Sequence, residues 1–322
     1  NVIITFTSGD WDQAQTVTVT GVDDLIIDGD IAYEINAFVS SADLLYNSVV
    51  PDTVNVTNQD DDVAGITVTP ISGLVTTEAG GTATFTVVLN SQPSADVTIA
   101  LSSNNTNEGT ISPNNVIFND LDWDQPQTIT ITGVDDAVVD ETVSYTIITG
   151  LASSGDLNYE GFDPDDVSVS NSDNDSVGIT VNPTSGLTTT EAGGTATFTV
   201  VLNSQPSAEV TIALSSDNTN EGTVAPTPLT FTSANWNTAQ TVTVTGVDDA
   251  IVDGNVAYTI ITASAVSADG NYNGVNPSDV SVSNSDDDSA GITVNPTSGL
   301  TTTEAGGTAT FTVVLNSQPS AE

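Results

Sequence analysis

Residues 82–89 read Thr-Ala-Thr-Phe-Thr-Val-Val-Leu, and residues 128–132 read Thr-Ile-Thr-Ile-Thr. Both stretches alternate polar β-branched residues with apolar residues, so their side chains divide between two faces with a period of two. No stretch of the chain shows the 3.6-residue period of an amphipathic helix. The sequence therefore predicts an all-β fold.

Stretches of the same kind recur along the chain, separated by the Gly, Pro, Asn and Asp clusters that are typical of turns. Within residues 65–175 we predict strands at 65–69, 74–78, 82–89, 96–102, 115–118, 127–133, 142–149 and 166–170. Many short strands in about 110 residues are typical of an immunoglobulin-like antiparallel β-sandwich. The aromatic residues expected in the core or at its edge, between the two sheets, are Phe85, Phe118, Trp123 and Tyr145.

The chain is an array of repeats. Gly65, Gly178 and Gly291 each open the sequence Gly-Ile-Thr-Val, so the repeat is 113 residues long. Repetition at a fixed period is characteristic of tandem domains. The predicted domains are the C-terminal part of a repeat at 1–62, complete repeats at 65–175 and 178–288, and the N-terminal part of a repeat at 291–322.

The charge of the chain is extreme. It contains 43 Asp and Glu residues and no Lys, Arg or His, which gives a net charge of −43 at pH 7. No side-chain salt bridge can form, and self-repulsion opposes the compact state unless counterions are recruited. Nucleic acid and anionic membranes are excluded as electrostatic partners. The chain has no Cys, and no apolar run approaches the roughly 20 residues that span a bilayer.

The acids are concentrated in three places in each complete repeat: a Glu after the first strands, an Asp pair with a further acid nearby, and a closing acidic run. The closing run of residues 171–175 reads Asn-Ser-Asp-Asn-Asp and is followed at once by the next repeat. Alternate strands of a Greek-key sandwich turn at the same end, so these distant groups can converge. Crowded carboxylates stay ionised only around a cation, and hard oxygen ligands favour Ca²⁺.

The order of these features resembles the Calx-β domain. The features are a Glu followed by Gly-Gly and an apolar strand, then TITITGVDDAVVDETVSYTI at residues 128–147, then a last strand that runs into SNSDND at 170–175. Members of that family occur in sodium–calcium exchangers, in an integrin cytoplasmic tail and as tandem arrays in bacterial surface proteins. The resemblance implies a two-sheet sandwich that binds Ca²⁺ where the first Glu, the acidic loop and the terminal Asp run meet.

Matching this pattern residue by residue gives the candidate Ca²⁺ ligands. In the first complete repeat they are Glu78, Asp135, Asp136, Asp140, Glu141, Asp173 and Asp175. In the second they are Glu191, Asp248, Asp249, Asp253, Asp286, Asp287 and Asp288. In the N-terminal partial repeat the matching positions are Asp23, Asp24, Asp28, Asp60, Asp61 and Asp62. Glu141 has no acidic counterpart, because Gly29 and Gly254 occupy the equivalent positions.

Other interpretations of the same residues remain open. Asp and Asn between strands are often ordinary solvated turn residues. The threonine stripes at 16–20, 128–132 and 241–245 suit an ice-binding or glycan-bearing face, or a plain solvent-facing strand surface. Trp11, Trp123 and Trp236 suit either sugar stacking or a structural role. The insertion at 156–165, which is rich in acids, could hold an ion of its own.

Catalysis is not expected. Without His, Cys or Lys the usual nucleophile and base pairs cannot be assembled, and only paired carboxylates, as in glycoside hydrolysis, remain. The leading hypothesis is a structural segment of an extracellular or cell-surface fibre or adhesin stalk, stiffened by Ca²⁺ at its junctions, whose partners are neighbouring repeats or further copies of itself.

Two alternatives differ in partner. In the first, the repeats are adhesive modules that bind a surface glycan or protein, for which the aromatic loop of Tyr159, Phe162 and Tyr272 is the best candidate. In the second, residues 291–322 of one molecule complete residues 1–62 of the next by strand addition, which makes a filament.

Overall fold

The computed structural model describes residues 2–321, so Asn1 and Glu322, at the outer ends of the two partial repeats, lie outside the described residues. No helix occurs in residues 2–321. It follows that none of these residues belongs to a helix long and apolar enough to cross a membrane. The predicted all-β class is confirmed.

Contacts divide the chain into two compact units. The first runs up to Asp135 and also contains Val143–Ser172. The second contains Asp136–Thr142 together with the chain from Asp173 onward. The short stretch that follows Asp135 therefore packs with the repeat that comes after it.

The N-terminal partial repeat contains one antiparallel pair, β1 (Ile31–Ile35) with β2 (Val54–Asn58). Its apolar residues are far more exposed than those of a complete repeat: Phe6 is 51% exposed, whereas the equivalent Phe118 is 0% exposed.

The first complete repeat is a two-sheet sandwich. Its strands are β3 (Ile66–Thr69), β4 (Leu74–Thr77), β5 (Thr82–Leu89), β6 (Val97–Ser103), β7 (Gly109–Ser112), β8 (Asn115–Phe118), β9 (Gln127–Gly133), β10 (Thr142–Thr149), β11 (Ser153–Ser154) and β12 (Val167–Ser172). One sheet has the order β3-β5-β9-β7, and the other has the order β11-β6-β10-β12-β4 with β8 paired to β6. All eight predicted strands occur, and two short ones, β7 and β11, were missed.

The second complete repeat has the same plan. Its strands are β13 (Ile179–Asn182), β14 (Leu187–Thr190), β15 (Thr195–Leu202), β16 (Val210–Ile212), β17 (Leu214–Ser216), β18 (Gly222–Ala225), β19 (Leu229–Phe231), β20 (Gln240–Gly246), β21 (Val256–Thr262), β22 (Val266–Ser267) and β23 (Val280–Ser285). Its sheets are β13-β15-β20-β18, β14-β23-β21-β17 and β19-β16-β22. The C-terminal partial repeat pairs β24 (Ile292–Asn295) with β25 (Thr312–Leu315).

The alternation seen in the sequence sets the two faces of each sheet. In β9 the isoleucines at 129 and 131 are fully buried, while Thr128 is exposed. Phe85, Phe118 and Tyr145 lie in the core of the first complete repeat, as predicted. Trp123 and Trp236 are partly buried against their cores, which supports the structural interpretation of these tryptophans.

One ladder in each complete repeat is parallel rather than antiparallel. β14 pairs with β23, with Thr190 opposite Ser285, and β4 pairs with β12, with Thr77 opposite Ser172. The first strands of the repeat therefore end beside the last strand, and at the same end of the sandwich.

A close approach between backbone and ring gives the first prediction. A Cβ on Gly222 would overlap the ring and hydroxyl of Tyr258, whereas a Cβ on Gly270 would meet nothing within 4 Å. Gly222→Ala should lower the free energy of unfolding of the repeat at 178–288 by about 1–3 kcal/mol, because an overpacked core must shift. Gly270→Ala should stay within about 0.5 kcal/mol of the parent. Denaturant unfolding of the two variants measures the difference, and equal stabilities would contradict the packing described.

Asp269 gives a prediction about pH. Burial opposes its ionisation, but the backbone N–H groups of Ser207 and Asn271, at 2.8 and 2.9 Å, outweigh that effect, so the pKa of Asp269 lies below its ordinary 3.8. An acid with a lowered pKa stabilises the fold above its unfolded-state pKa, and this stabilisation is lost as the pH falls through the folded-state pKa.

Asp269→Asn should therefore cost about 1–3 kcal/mol at pH 7, and the gap between parent and variant should close as the pH falls below 3.8. Urea unfolding of both proteins across this range measures the gap, and taking the difference cancels the charge effects that they share. Glu209→Gln, at an exposed acid of the same repeat, is the control. A gap that does not depend on pH would contradict the assignment.

Candidate metal centre

The parallel ladder of the second complete repeat brings two acidic segments together. Glu191 follows β14 and Asp286 follows β23, and the Glu191 N–H donates to the Ser285 carbonyl at 3.1 Å. The Glu191 side chain is only 2% exposed. A single glutamate and the closing acidic run thus leave neighbouring strands at one point.

Asp286 ties the closing run to the acidic loop after β20. Its Oδ1 accepts the Asp288 N–H at 2.8 Å, and its Oδ2 accepts the Gly254 N–H at 2.7 Å. These bonds to Asp288 and Gly254 favour the ionised carboxylate and lower the pKa of Asp286. Asp286 is therefore an ionised anchor, because its two oxygens hold the closing run and the acidic loop together through hydrogen bonds.

Glu191 and Asp288 are in the opposite situation. Burial raises the pKa of Glu191, repulsion from Asp286 adds to this, and the 3.2 Å bond from the Asp287 N–H does not offset it. Burial and repulsion from Asp286 and Asp287 also raise the pKa of Asp288. Within residues 2–321, Asp288 Oδ2 is a buried oxygen with no hydrogen-bond partner. The charged forms of both side chains are disfavoured in the protein alone.

Three acidic groups of the second repeat are compact enough to share an ion. In each group, one oxygen from every member lies within 4.8 Å of the others: Glu191 with Asp248 and Asp287, Glu191 with Asp286 and Asp288, and Glu221 with Asp249 and Asp253. Oxygens on opposite sides of a Ca²⁺ ion are about 4.6–5.2 Å apart, since each ligand lies about 2.3–2.6 Å from the ion. The donor set and its spacing therefore fit a hard cation such as Ca²⁺.

Glu221 was missed by the sequence analysis. It is 5% exposed, and its Oε2 lies 3.4 Å from the Asn284 Nδ2 that donates to it. The equivalent Glu108 of the first complete repeat is 6% exposed. The available signal was the repetition of the sequence Asn-Thr-Asn-Glu-Gly at 105–109 and 218–222. A single glutamate in a turn cannot be recognised as a candidate metal ligand from the sequence, because its burial is not visible there.

The candidate acids of the first complete repeat are divided between the two compact units. In the first unit, Glu78 is 3% exposed and its N–H donates to the Ser172 carbonyl at 3.1 Å, while Asp135 is exposed. In the second unit, Asp173 Oδ2 accepts the N–H groups of Asp140 and Glu141 at 3.1 and 3.0 Å. Asp173 therefore plays the anchoring part that Asp286 plays one repeat later.

The remaining two acids of that set, in the second unit, are held by local hydrogen bonds. Asp136 Oδ1 accepts the Val138 N–H at 2.7 Å, and the Asp175 N–H donates to Asp173 Oδ1 at 2.6 Å.

Glu141 differs from the other candidates. It has a φ of 68°, close to the 74° and 75° of the equivalent Gly29 and Gly254. Its side chain is exposed, and among the described residues it is not in any of the compact acidic groups. Its backbone forms a left-handed turn, and its N–H donates to Asp173 Oδ2 at 3.0 Å.

The N-terminal partial repeat shows a similar arrangement. Asp60 accepts the N–H groups of Asp62 and Gly29 at 3.0 and 2.7 Å, which lowers the pKa of Asp60, while burial and then repulsion from Asp60 raise the pKa of Asp62. An open cleft of about 680 Å³ is lined by all six candidate acids: Asp23, Asp24, Asp28, Asp60, Asp61 and Asp62.

Two other candidate regions, the aromatic loop and the insertion at 156–165, contain buried side chains. Tyr159 and Tyr272 are 0% and 1% exposed and Phe162 is partly buried, so these side chains do not form the exposed aromatic surface that was expected, and that expectation was wrong. In the insertion, Asp156 is 5% exposed and accepts the N–H groups of Ser94 and Asn158. Among the described residues the insertion contributes to no compact acidic group.

Comparison with known proteins finds distant structural matches. No family model and no curated protein matches the chain. A crystal structure of CBD12 from CALX1.2 is 16% identical, covers 64% of this chain and 82% of its own, and superposes with a TM-score of 0.29. The crystal structure of the calcium binding domain CBD12 of CALX1.1 is 16% identical. The match covers 62% of this chain and 80% of that chain, with a TM-score of 0.31. Domains 4 and 5 of the S-layer protein SbsC are 18% identical. That match covers 58% of this chain and 75% of the SbsC chain, with a TM-score of 0.27. With values this low, the properties of those proteins are not carried over to this chain.

Proposed function

We propose that this chain is a structural segment of a long extracellular fibre or adhesin stalk, in which Ca²⁺ bound at the acidic end of each repeat stiffens the junction with the next. The observation that carries the proposal is the buried Asp288 Oδ2, which has no hydrogen-bond partner in residues 2–321 and lies among other carboxylates. A buried charge without a partner is costly, and a chain without Lys, Arg or His can supply no cation of its own.

The position of this group at the end of the repeat supports a mechanical role. Only Ser289 and Ala290 separate Asp288 from Gly291, where the next Gly-Ile-Thr-Val begins. An ion that holds the closing run against Glu191 would restrict a linker this short. Without the ion, the same carboxylates repel one another and the linker is freer to bend.

We further propose that the segment is not an enzyme. The three groups of the second repeat contain only carboxylates, and no Lys, His or Cys exists in the chain to act as a base or nucleophile beside them. A role as an adhesive module has lost its best support, since Tyr159 and Tyr272 are buried.

The first test removes the costly charge. Asp288→Asn should raise the melting temperature of the metal-free protein in chelator, because burial and repulsion from Asp286 and Asp287 raise the pKa of Asp288 and disfavour its ionised form. Such an acid destabilises the folded state above its folded-state pKa, so lowering the pH should also stabilise the parent more than the variant. Glu209→Gln, which removes an exposed charge from the same repeat, is the matched control. A lower melting temperature for Asp288→Asn in chelator would count against a strained site.

The second test adds the ion. Ca²⁺ at 100 times its dissociation constant should stabilise the parent by about 2.7 kcal/mol per bound site. Glu191→Gln should lower the affinity of its repeat about tenfold or more, because substituting residues that only support a metal ligand already costs about 10–100-fold. Glu191 belongs to two of the three acidic groups, so one substitution affects both.

Isothermal titration and thermal melts with Ca²⁺ and with chelator measure these changes. Glu209→Gln should titrate like the parent. If Ca²⁺ leaves the melting temperature and the heat signal of the parent unchanged, the acids are solvated turn residues and the proposed function is wrong.

A further inference from the structure

One backbone contact recurs three times along the chain. In each case the N–H of the Gln in an Asn-Ser-Gln-Pro-Ser turn donates to the carbonyl of the residue that follows the Asp-Asp pair of the preceding repeat. The pairs are Gln92 with Leu25 at 2.7 Å, Gln205 with Ala137 at 2.6 Å, and Gln318 with Ala250 at 2.6 Å. We name this contact the clasp. Both partners of every clasp lie in the same compact unit.

Two of the three clasps extend into a strand-like pairing. Ile26 forms a parallel β-bridge with Gln92, and Ile251 forms one with Gln318. At the remaining clasp, the side chain of Asn271 donates to the Val139 carbonyl at 3.0 Å. Each clasp therefore has backbone pairing or a second hydrogen bond beside it.

The loop half of the clasp is shaped by an acid. Asp249 Oδ1 accepts the Ile251 N–H at 2.7 Å, which bends the chain around Ala250, and Ala250 is the residue whose carbonyl is clasped. Asp136 and Asp24 make the equivalent bonds at 2.7 and 3.0 Å. Asp249 also belongs to the compact group with Glu221. One carboxylate is thus shared by the acidic group and the clasped loop.

The turn half of the clasp is fixed to the core of its own repeat. The Tyr272 hydroxyl, which is buried, accepts the Ser204 N–H at 3.0 Å and donates to the Ser204 carbonyl at 2.7 Å. On the other side of Gln205, Asp269 Oδ2 accepts the Ser207 N–H at 2.8 Å. Hydrogen bonds on both sides of Gln205 therefore hold the turn that carries its N–H group.

We infer that the Asn-Ser-Gln-Pro-Ser turn is a docking surface for the acidic loop of the preceding repeat, and that the clasp transmits the state of that loop to the next repeat. The inference rests on the proposed function, in which the acids bind Ca²⁺. An ion on Asp249 or Asp136 restrains the loop, and a restrained loop presents its carbonyl in one position. Because coupling of this kind is reciprocal, a clasped loop also binds the ion more tightly than an unclasped one.

The test separates the clasp from the ion site. Gln205→Pro removes the donating N–H and leaves every acid in place, while Gln205→Ala keeps the N–H and is the matched control. The chain has no Cys, so Leu121→Cys and Val266→Cys, at residues 86% and 68% exposed, can carry a unique pair of spin labels on the two complete repeats. The width of the distance distribution between the labels reports the stiffness of the junction.

We expect a narrow distribution in Ca²⁺ and a broad one in chelator for the parent and for Gln205→Ala. In Ca²⁺, Gln205→Pro should broaden to the width that the parent has in chelator, and its Ca²⁺ titration should show weaker binding at the sites of the loop. If the parent binds Ca²⁺ and Gln205→Pro stays as narrow as Gln205→Ala, the clasp does not transmit the state of the loop and the inference is overturned.

Two further results have a defined meaning: no Ca²⁺ binding by the parent, and loss of the cooperative melting transition in Gln205→Pro. If the parent binds no Ca²⁺, the proposed function fails and the coupling fails with it. If Gln205→Pro loses its cooperative melting transition, Asn271→Ala replaces it, with the equivalent Asn158→Ala as its control. Asn271→Ala should then broaden the distribution in Ca²⁺, and an unchanged width would overturn the inference.

Discussion

The parallel pairing of β14 with β23 is the contact on which the acidic end of the repeat depends. Because Thr190 lies opposite Ser285, the next residues, Glu191 and Asp286, leave neighbouring strands in the same direction. An antiparallel ladder would send them to opposite ends of the sandwich. Asn284, 1% exposed on β23, then reaches the Val247 carbonyl at 3.1 Å, at the start of the acidic loop. One ladder and one amide thus gather three segments that are far apart in the chain.

The gathered carboxylates are not equivalent. Asp286 receives N–H groups from the backbone and is stabilised as an anion, so it organises the loops around it. Glu191 and Asp288 are held where burial and repulsion disfavour their charge. The fold therefore places some carboxylates so that they shape the site and others so that they gain most from a cation. Loops held in this way have a defined conformation in the protein alone, which would lower the ordering cost of the cation binding proposed above.

Local patterns in the sequence predict the strands well, whereas burial that depends on partners far away in the chain is not visible in the sequence. The alternation in β5 and β9 predicted those strands closely, but β7 carries only one large apolar residue, Ile111, and was missed. The aromatic loop was expected at the surface, whereas the Tyr272 hydroxyl finds its partner, Ser204, 68 residues away in the chain. The sequence also does not show which side chains are buried, which is why the exposed Glu141 was chosen as a candidate ligand while the buried Glu221 was not.

The clasp consists of backbone atoms, so it does not depend on the side chains of the two residues that form it. Residues 178–209 and 291–322 are identical, so the turn that receives a loop is the same at the start of both repeats. The loop offers a carbonyl that either Leu25 or Ala137 can supply. The backbone hydrogen bond of the clasp would therefore form whichever repeat follows. Recombination between copies can therefore add or delete whole repeats, which makes the length of the array a quantity that selection can adjust freely.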